Sequence, residues 1–525
     1  MLKRVVQVPV LAALLAVSVL VSRPAMAAPT GLRVGIYVST GAESDKILAL
    51  FRAVAAAGHV PKGIGHYDIL RGRLSTSNFD VFILPAGEDG KRCCAGHYSD
   101  DGDALGGIPA QSAIRSFLNA GGGMVAIEAG AYFASSNGGT LDVYSGSYTN
   151  VTNQIGKKTV TLVDPAFGSG TVDAWQSYGG GYFSVASGAT VVANNASGQP
   201  VIVRTTYGPG RLVLAAHDLE LRGDSELDWT LWDNWAMGGV HTNSVKNWEL
   251  LGRMIGWAYK GDASAPVISA ANPTGSRVAI VTTHTTDGGA WAGLLPAVAR
   301  ATEYAGHIPL AIRLQEIKDG RLTLSNFKVV TFPGGYSYGY KVGLSGYEQK
   351  VRDFVSAGGS YYGICAGGFY AAQTVNWLGK AYAYPLALLA STDTGSIDDI
   401  IPYPQYALTP ILINDPVIGT GSMQQLYYGG GYFTLPSDTQ QGAHVFAVGT
   451  YDYSGTRHGQ ADLIRFAYGS GRVLITGTHP ESREGSNDDW LFWNDFAYDS
   501  DTPLSNPDNS WTFVNAAFDN WLTLP

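Results

Sequence analysis

Residues 359–370 read Gly-Ser-Tyr-Tyr-Gly-Ile-Cys-Ala-Gly-Gly-Phe-Tyr, and the fold follows from how this stretch is parsed. Its first half is apolar and aromatic, as a buried strand requires, and it runs into the turn Gly363-x-Cys365-x-Gly367 and then a helix-like run through Ala371, Ala372 and Gln373. Such a strand-to-helix elbow lifts one side chain, here Cys365, above the end of a sheet, which is where α/β enzymes hold a nucleophile. Glycines flank an elbow because its backbone is strained and closely packed. The helix that follows turns its first free N–H groups towards the thiol and favours thiolate.

About a hundred residues later the strand-like run Arg472–Thr478 ends at His479-Pro480-Glu481. Open α/β sheets carry their functional groups at the C-terminal ends of strands. Cys365, His479 and Glu481 are therefore a candidate catalytic triad: the imidazole takes the thiol proton, and the carboxylate fixes the imidazole tautomer.

With the loop Phe332-Pro333-Gly334-Gly335-Tyr336-Ser337-Tyr338-Gly339, these motifs stand in the order found in class I glutamine amidotransferases, whose superfamily the chain resembles. The run Gly429-Gly430-Gly431-Tyr432-Phe433 makes the amidotransferase-like domain at the N-terminus of biotin-protein ligases the most similar family. The resemblance spans the mature chain and implies a flavodoxin-like, mostly parallel sheet with helices on both faces. It also implies backbone oxyanion donors at Gly334, Gly335 and Ala366, with Tyr336 and Phe369 beside the substrate. Amidotransferases carry a glutamine four residues after the nucleophile, and here that position is Phe369, so glutamine is not the expected substrate.

The same pattern occurs twice. Ala57-Gly58-His59-Val60-Pro61 matches Ala305-Gly306-His307-Ile308-Pro309, and Gly72–Phe79 matches Gly320–Phe327, both at an offset of 248 (307 − 59). Tyr178–Phe183 recurs as Tyr428–Phe433, and Tyr207–Arg211 as Tyr468–Arg472. Two tandem α/β copies are expected, each alternating strand and helix signals. Residues 28–262 form a degenerate domain, 263–276 an Ala/Pro/Ser-rich linker, and 277–525 the domain with the Cys-His-Glu set. Strands are expected at Arg33–Ser39, Val81–Leu84, Arg277–Thr283 and Val329–Phe332. Helices are expected at Asp45–Ala57, Trp291–Ala305, Trp248–Tyr259 and Trp511–Leu522. The Gly/Tyr-rich middles, 145–181 and 392–431, read as irregular or antiparallel additions.

Comparison of the copies separates their chemistry. An offset of 237 (365 − 128) puts Glu128 where Cys365 stands, and an offset of 261 (479 − 218) sets Asp218-Leu219-Glu220 against His479-Pro480-Glu481. The first copy thus lacks both nucleophile and imidazole, and Glu128, Asp218 and Glu220 form only a degenerate counterpart. His217 is one residue out of register, which turns its side chain to the other face. The first copy is expected to pack on the second; the sharper alternative makes Glu128 a general base in a second pocket.

Residues 1–27 carry Lys3 and Arg4, an apolar run Val5–Val21 and Ala25-Met26-Ala27, a secretory signal with cleavage expected after Ala27. Its removal takes three basic residues and no acidic one, moving the net charge from −9 to −12 and disfavouring nucleic acid. The mature protein is expected to be exported, periplasmic or secreted, without a membrane span. Three cysteines are too few for a disulfide scaffold; the pairing of Cys93 and Cys94 stays open. No cofactor and no metal set are expected, the ten histidines being scattered. Tyr336, Tyr338, Tyr340, Phe369 and Tyr370 point to a flat or apolar substrate face. The expected function is amide or ester hydrolysis, or acyl transfer, on a small-molecule or peptide substrate through a Cys365 thioester. The alternative is a non-catalytic extracytoplasmic binding module on the same fold.

Overall fold

The computed structural model describes residues 31–39, 41–87, 108–137, 141–151, 156–176, 180–222, 246–269, 274–282, 289–436, 445–483, 488–491 and 509–524. The expected leader at residues 1–27, Cys93, Cys94 and Tyr178 lie outside the described residues.

The chain is mixed α/β with two large sheets, and each is mostly parallel at its centre. The first contains β1 (Arg33–Tyr37), β2 (Val60–Ile64), β3 (Val81–Leu84), β4 (Gly123–Ile127), β5 (Pro200–Tyr207) and β6 (Gly210–Ala215), in the spatial order β2-β1-β3-β4-β6-β5. The second contains β7 (Arg277–Thr282), β8 (Ile308–Arg313), β9 (Val329–Phe332), β10 (Ser360–Ile364), β11 (Ala461–Tyr468) and β12 (Gly471–Thr476), in the order β8-β7-β9-β10-β12-β11. In both, the first five strands pair in parallel and the sixth antiparallel. Continuous Val/Ile/Leu runs such as Val81–Leu84 suit strands that helices cover on both faces.

Register agrees with the sequence offsets. Gly123 faces Arg211 as Ser360 faces Arg472, at offsets of 237 and 261. Isolated bridges join Trp175 to Asp218 and Leu426 to His479, and Ala42 to Gly87 and Ala290 to Gly335. Helices α1 (Ser44–Ala56), α2 (Ala129–Ala134), α3 (Lys246–Lys260), α4 (Leu295–Tyr304), α5 (Ala366–Ala371) and α6 (Asn509–Ala517) complete the parts that concern the site. Trp248 on α3 donates from its indole to the Glu220 carbonyl at 2.7 Å, and Trp511 on α6 makes the same bond to Glu481 at 2.7 Å.

Three expectations need correction. The helix expected from Trp291 begins at Leu295, because Trp291 spends its amide on the Gly334 carbonyl at 2.9 Å and Pro296 is preorganised for the first turn. The helix after Cys365 stops at Ala371, where Ala372–Trp377 turns into a strand paired with Leu389–Gly395. β2 and β8 were not expected; Pro and Gly in Val60-Pro61-Lys62-Gly63-Ile64 mask a strand signal that edge position tolerates. The Gly/Tyr-rich middles are largely antiparallel, as in the nine-residue pairing of Ala407–Asp415 with Gly419–Tyr427.

The two sheets are joined through α1, which packs on α3 and α4. Phe51 stacks on Trp490 at 5.7 Å, Arg52 pairs with Glu303 at 3.2 Å, Arg313 pairs with Glu43, and the Gly63 amide donates to the Trp490 carbonyl at 2.9 Å.

Candidate active site

Cys365 occupies a backbone conformation that side chains rarely adopt, with φ 47° and ψ −101°. Such strain costs about 1–3 kcal/mol and persists only where the surroundings impose it. The surroundings do so here. The Cys365 amide donates to the Thr476 carbonyl at 2.8 Å, and Tyr361 donates its hydroxyl to the Gly367 carbonyl at 2.8 Å. A Cβ on Gly367 would stand 2.0 Å from the Phe332 carbonyl oxygen, so only glycine lets α5 come this close to β9. With six residues, α5 is too short to bring much dipole to the thiol.

The partner of the thiol comes from β12. Beyond Thr476 the chain is pinned by the His479 amide, which donates to the Leu426 carbonyl at 2.9 Å, and by Thr478, which donates to Asp462 at 2.7 Å. His479 Nδ1 lies 2.9 Å from Glu481 Oε1, and both side chains are almost fully buried. With the carboxylate accepting from Nδ1, the other ring nitrogen is left to act. Nε2 has no hydrogen-bond partner among the described residues. The Cys365 thiol makes a long 3.8 Å contact to the Tyr428 carbonyl and is close enough to the imidazole to act on its charge. Burial opposes charge on the imidazole, but Glu481 and Cys365 outweigh it and raise its pKa to about 10. Such an environment stabilises the imidazolium form of His479.

Gly334 holds the ring in place: a Cβ there would stand 2.4 Å from His479 Cε1. Of the two loop glycines expected as backbone donors, Gly335 lines the cavity. The bridge from Ala290 to Gly335 uses the Gly334 carbonyl and the Tyr336 amide, so the Gly335 N–H stays outside that ladder. The Ala366 N–H is the first of α5 and has no intrahelical acceptor. Gly335, Cys365 and Ala366 all line a cavity of about 430 Å³.

That cavity is lined by Tyr336, Tyr338 and Phe369. Tyr340 and Tyr370 are corrected: both are fully buried behind it, in a ring cluster with Phe332. Trp377 and Tyr384, which follow the elbow helix, and Tyr403 and Tyr428, from the Gly/Tyr-rich middle, also line it; the return of these stretches to the elbow has no local signature. The Tyr428-Gly429 repeat was the available clue.

In the first half the corresponding position has a different character. Glu128 repeats the elbow at φ 48° and ψ −105°, with its amide on the Ala215 carbonyl at 2.7 Å. Its neighbour is Lys46, buried and within 2.8 Å of Glu43, 3.4 Å of Asp218 and 3.6 Å of Glu128. Burial penalises this ammonium, but Asp218, Glu128 and Glu43 together hold its pKa well above the usual lysine value. Glu220 is also buried, and burial, with Asp218 adding, raises its pKa well above the carboxylate range. His217 stays apart, its pKa lowered to about 4 by burial and Lys158. The arrangement is an ion cluster, not a nucleophile with a base. Among the described residues, no group of three or more His, Cys, Asp or Glu side chains is arranged to hold a metal, and no helix is long and apolar enough to cross a membrane.

Residues 324–383 match the family described as biotin-protein ligase, N terminal, a segment that includes Gly334, Gly335 and Cys365. A biotin–protein ligase of Schizosaccharomyces pombe is 29% identical over 171 residues, covering 30% of this chain and 26% of the relative, so the chain spans about a quarter of that protein's length. Among solved structures, a GMP synthase component from Thermoplasma acidophilum is similar over 43% of this chain and 93% of its own, with 13% identity and a TM-score of 0.29. A β-galactosidase of Bacillus circulans is similar over 52% of this chain and 34% of its own, with 13% identity and a TM-score of 0.28. At such scores neither likeness bears on fold or chemistry.

Proposed function

We propose that the second half is a cysteine-dependent acyl-transfer site that hydrolyses or transfers an amide or ester. The observation that carries this reading is the polarised imidazole: His479 is fixed by Glu481 through Nδ1, with Nε2 unbonded on the side of the Cys365 thiol. The thiolate adds to the substrate carbonyl carbon, a C–S bond forms, and the carbonyl electron pair becomes an oxyanion facing the Gly335 and Ala366 amides. Collapse expels the amine or alcohol, which takes its proton from the imidazolium. Water then attacks the thioester with His479 as base, returning acid and thiol.

The same reading treats the halves as tandem copies of an amidotransferase-like fold, the first degenerate. Shared strand order, matching register and the paired indole bonds of Trp248 and Trp511 support it. Likeness to the N-terminal part of biotin-protein ligases supports a ligase-associated accessory domain rather than the ligation step. The leader-like residues 1–27 support export.

Intact-mass spectrometry after incubation with amide and ester donors tests the chemistry. An acyl adduct is expected on the protein and is expected to vanish in Cys365→Ala. Glu128→Gln should retain most turnover. An adduct that survives Cys365→Ala, or turnover lost equally in Glu128→Gln while the protein stays folded, would overturn the assignment.

A further inference from the structure

The cavity above Cys365 also carries information about what enters it. Its far wall is a connected set of rings: Phe369 meets Trp377 edge-on at 5.7 Å, Trp377 meets Tyr403 edge-on at 5.4 Å, and Tyr403 meets Tyr428 at 5.6 Å. On the elbow-loop side Tyr336 and Tyr338 lie 5.9 Å apart. Phe369 belongs to the core, but Tyr336 and Tyr403 are not used up there, being 64% and 49% exposed.

The lining is as notable for charge. Among the described residues that line the cavity there is no Asp, Glu, Lys, Arg or His. The cation next to it, Lys341, already donates to the Ala383 carbonyl at 2.8 Å and lies against the Tyr338 and Tyr384 rings. A free amino acid such as glutamine brings an ammonium and a carboxylate, and burying either without an opposite charge is costly. Uncharged polar groups fare better, because Ser337 and Tyr384 place two hydroxyls 2.9 Å apart in the wall. A volume of about 430 Å³ accommodates a ring and its acyl linkage.

We infer that the site takes an uncharged amide or ester whose acyl part carries a flat ring, seated against Trp377 and Tyr403 with the scissile carbonyl at Cys365. This rests on the acyl-transfer reading for the position of the carbonyl, but the ring subsite is tested separately. The full-length Cys365→Ala protein is titrated by calorimetry with phenylacetamide, propionamide and glutamine. Saturable binding is expected with phenylacetamide alone, weakened about tenfold by Trp377→Ala, in line with the loss of an aromatic contact. Tyr403→Ala, at a half-exposed position, provides a second variant should Trp377→Ala fail to fold. Glutamine or propionamide binding as tightly as phenylacetamide, or no phenylacetamide binding, would overturn the inference. In parallel, wild-type turnover of 4-nitrophenyl phenylacetate is compared with the acetate. At least tenfold higher kcat/KM for the ring ester supports the inference; Cys365-dependent turnover without that preference sinks it and leaves the acyl-transfer reading intact. Ring binding without any Cys365-dependent turnover supports the subsite and sinks the chemistry instead.

Discussion

Glu481→Gln isolates the electrostatics of the site. The carboxylate stands 2.9 Å from His479 Nδ1 in a buried setting. At an effective dielectric constant of 20, unit charges at that separation interact by about 6 kcal/mol, an upper bound. A neighbouring opposite charge more commonly shifts a pKa by about 1–3 units, each worth about 1.4 kcal/mol. Glutamine keeps the shape and removes the charge, so the imidazole pKa, now about 10, should fall by that amount. The sign of the linked stability follows. A histidine raised in the folded state contributes fully below the unfolded value of about 6.5, and the contribution fades as pH rises through the folded value. Wild type should therefore lose His479-linked stability as pH approaches 10, and Glu481→Gln should have less to lose and lose it earlier. The assay is the iodoacetamide alkylation rate of Cys365 across pH, read by intact mass, beside urea midpoints at the same pH values. The imidazolium-dependent part of the alkylation profile should end near pH 10 in wild type and about 1–3 units lower in the variant, with turnover down about 10²–10⁴-fold. Superimposable profiles for the two proteins would refute the coupling.

Gly334→Ala should push the His479 ring, since the new Cβ falls 2.4 Å from Cε1, and a displacement of about 1 Å is expected to cost about 10²-fold in kcat; unchanged kcat would show that the ring is not held there. Lys46→Met removes the cation between Glu43, Glu128 and Asp218 and should cost about 3–5 kcal/mol in urea unfolding, as when one partner of a buried pair is deleted; a loss below about 1 kcal/mol would argue against an ion cluster that stabilises the fold. Asp462 is buried against Thr478, and burial raises its carboxyl pKa to about 7, so folding favours the neutral form and stability should fall as pH rises from about 4 towards 7. Asp462→Asn should flatten that slope in urea midpoints measured between about pH 4 and 8, and an unchanged slope would exclude this carboxyl as its source.

The elbow was legible in the sequence because local sterics dictate it: a positive-φ residue between a buried strand and a helix needs Gly363 and Gly367 around it, and no distant contact is required to see this. The recurring motifs are legible for a similar reason, since turn glycines and β-branched runs recur at fixed offsets in the sequence. The direction of His479 towards Cys365 was inferable only as a strand-end position, and the bond from Nδ1 to Glu481 needed the fold to bring it out. Lys46 carried no local signal of its role, because it sits on α1 and meets Glu128 and Asp218 only when β4 and β6 pair side by side. The ring wall was equally silent: Trp377, Tyr403 and Tyr428 are separated by stretches of chain and read individually as core or rim aromatics. Sequence alone determined the elbow at Cys365, the acid two residues beyond the histidine and the acidic residue at position 128, all set by short-range backbone and side-chain rules. Tertiary structure alone decided the shape of the cavity, its ring-rich lining and the ion cluster in the first half, because these arise from long-range strand pairing that brings together residues with no shared local pattern.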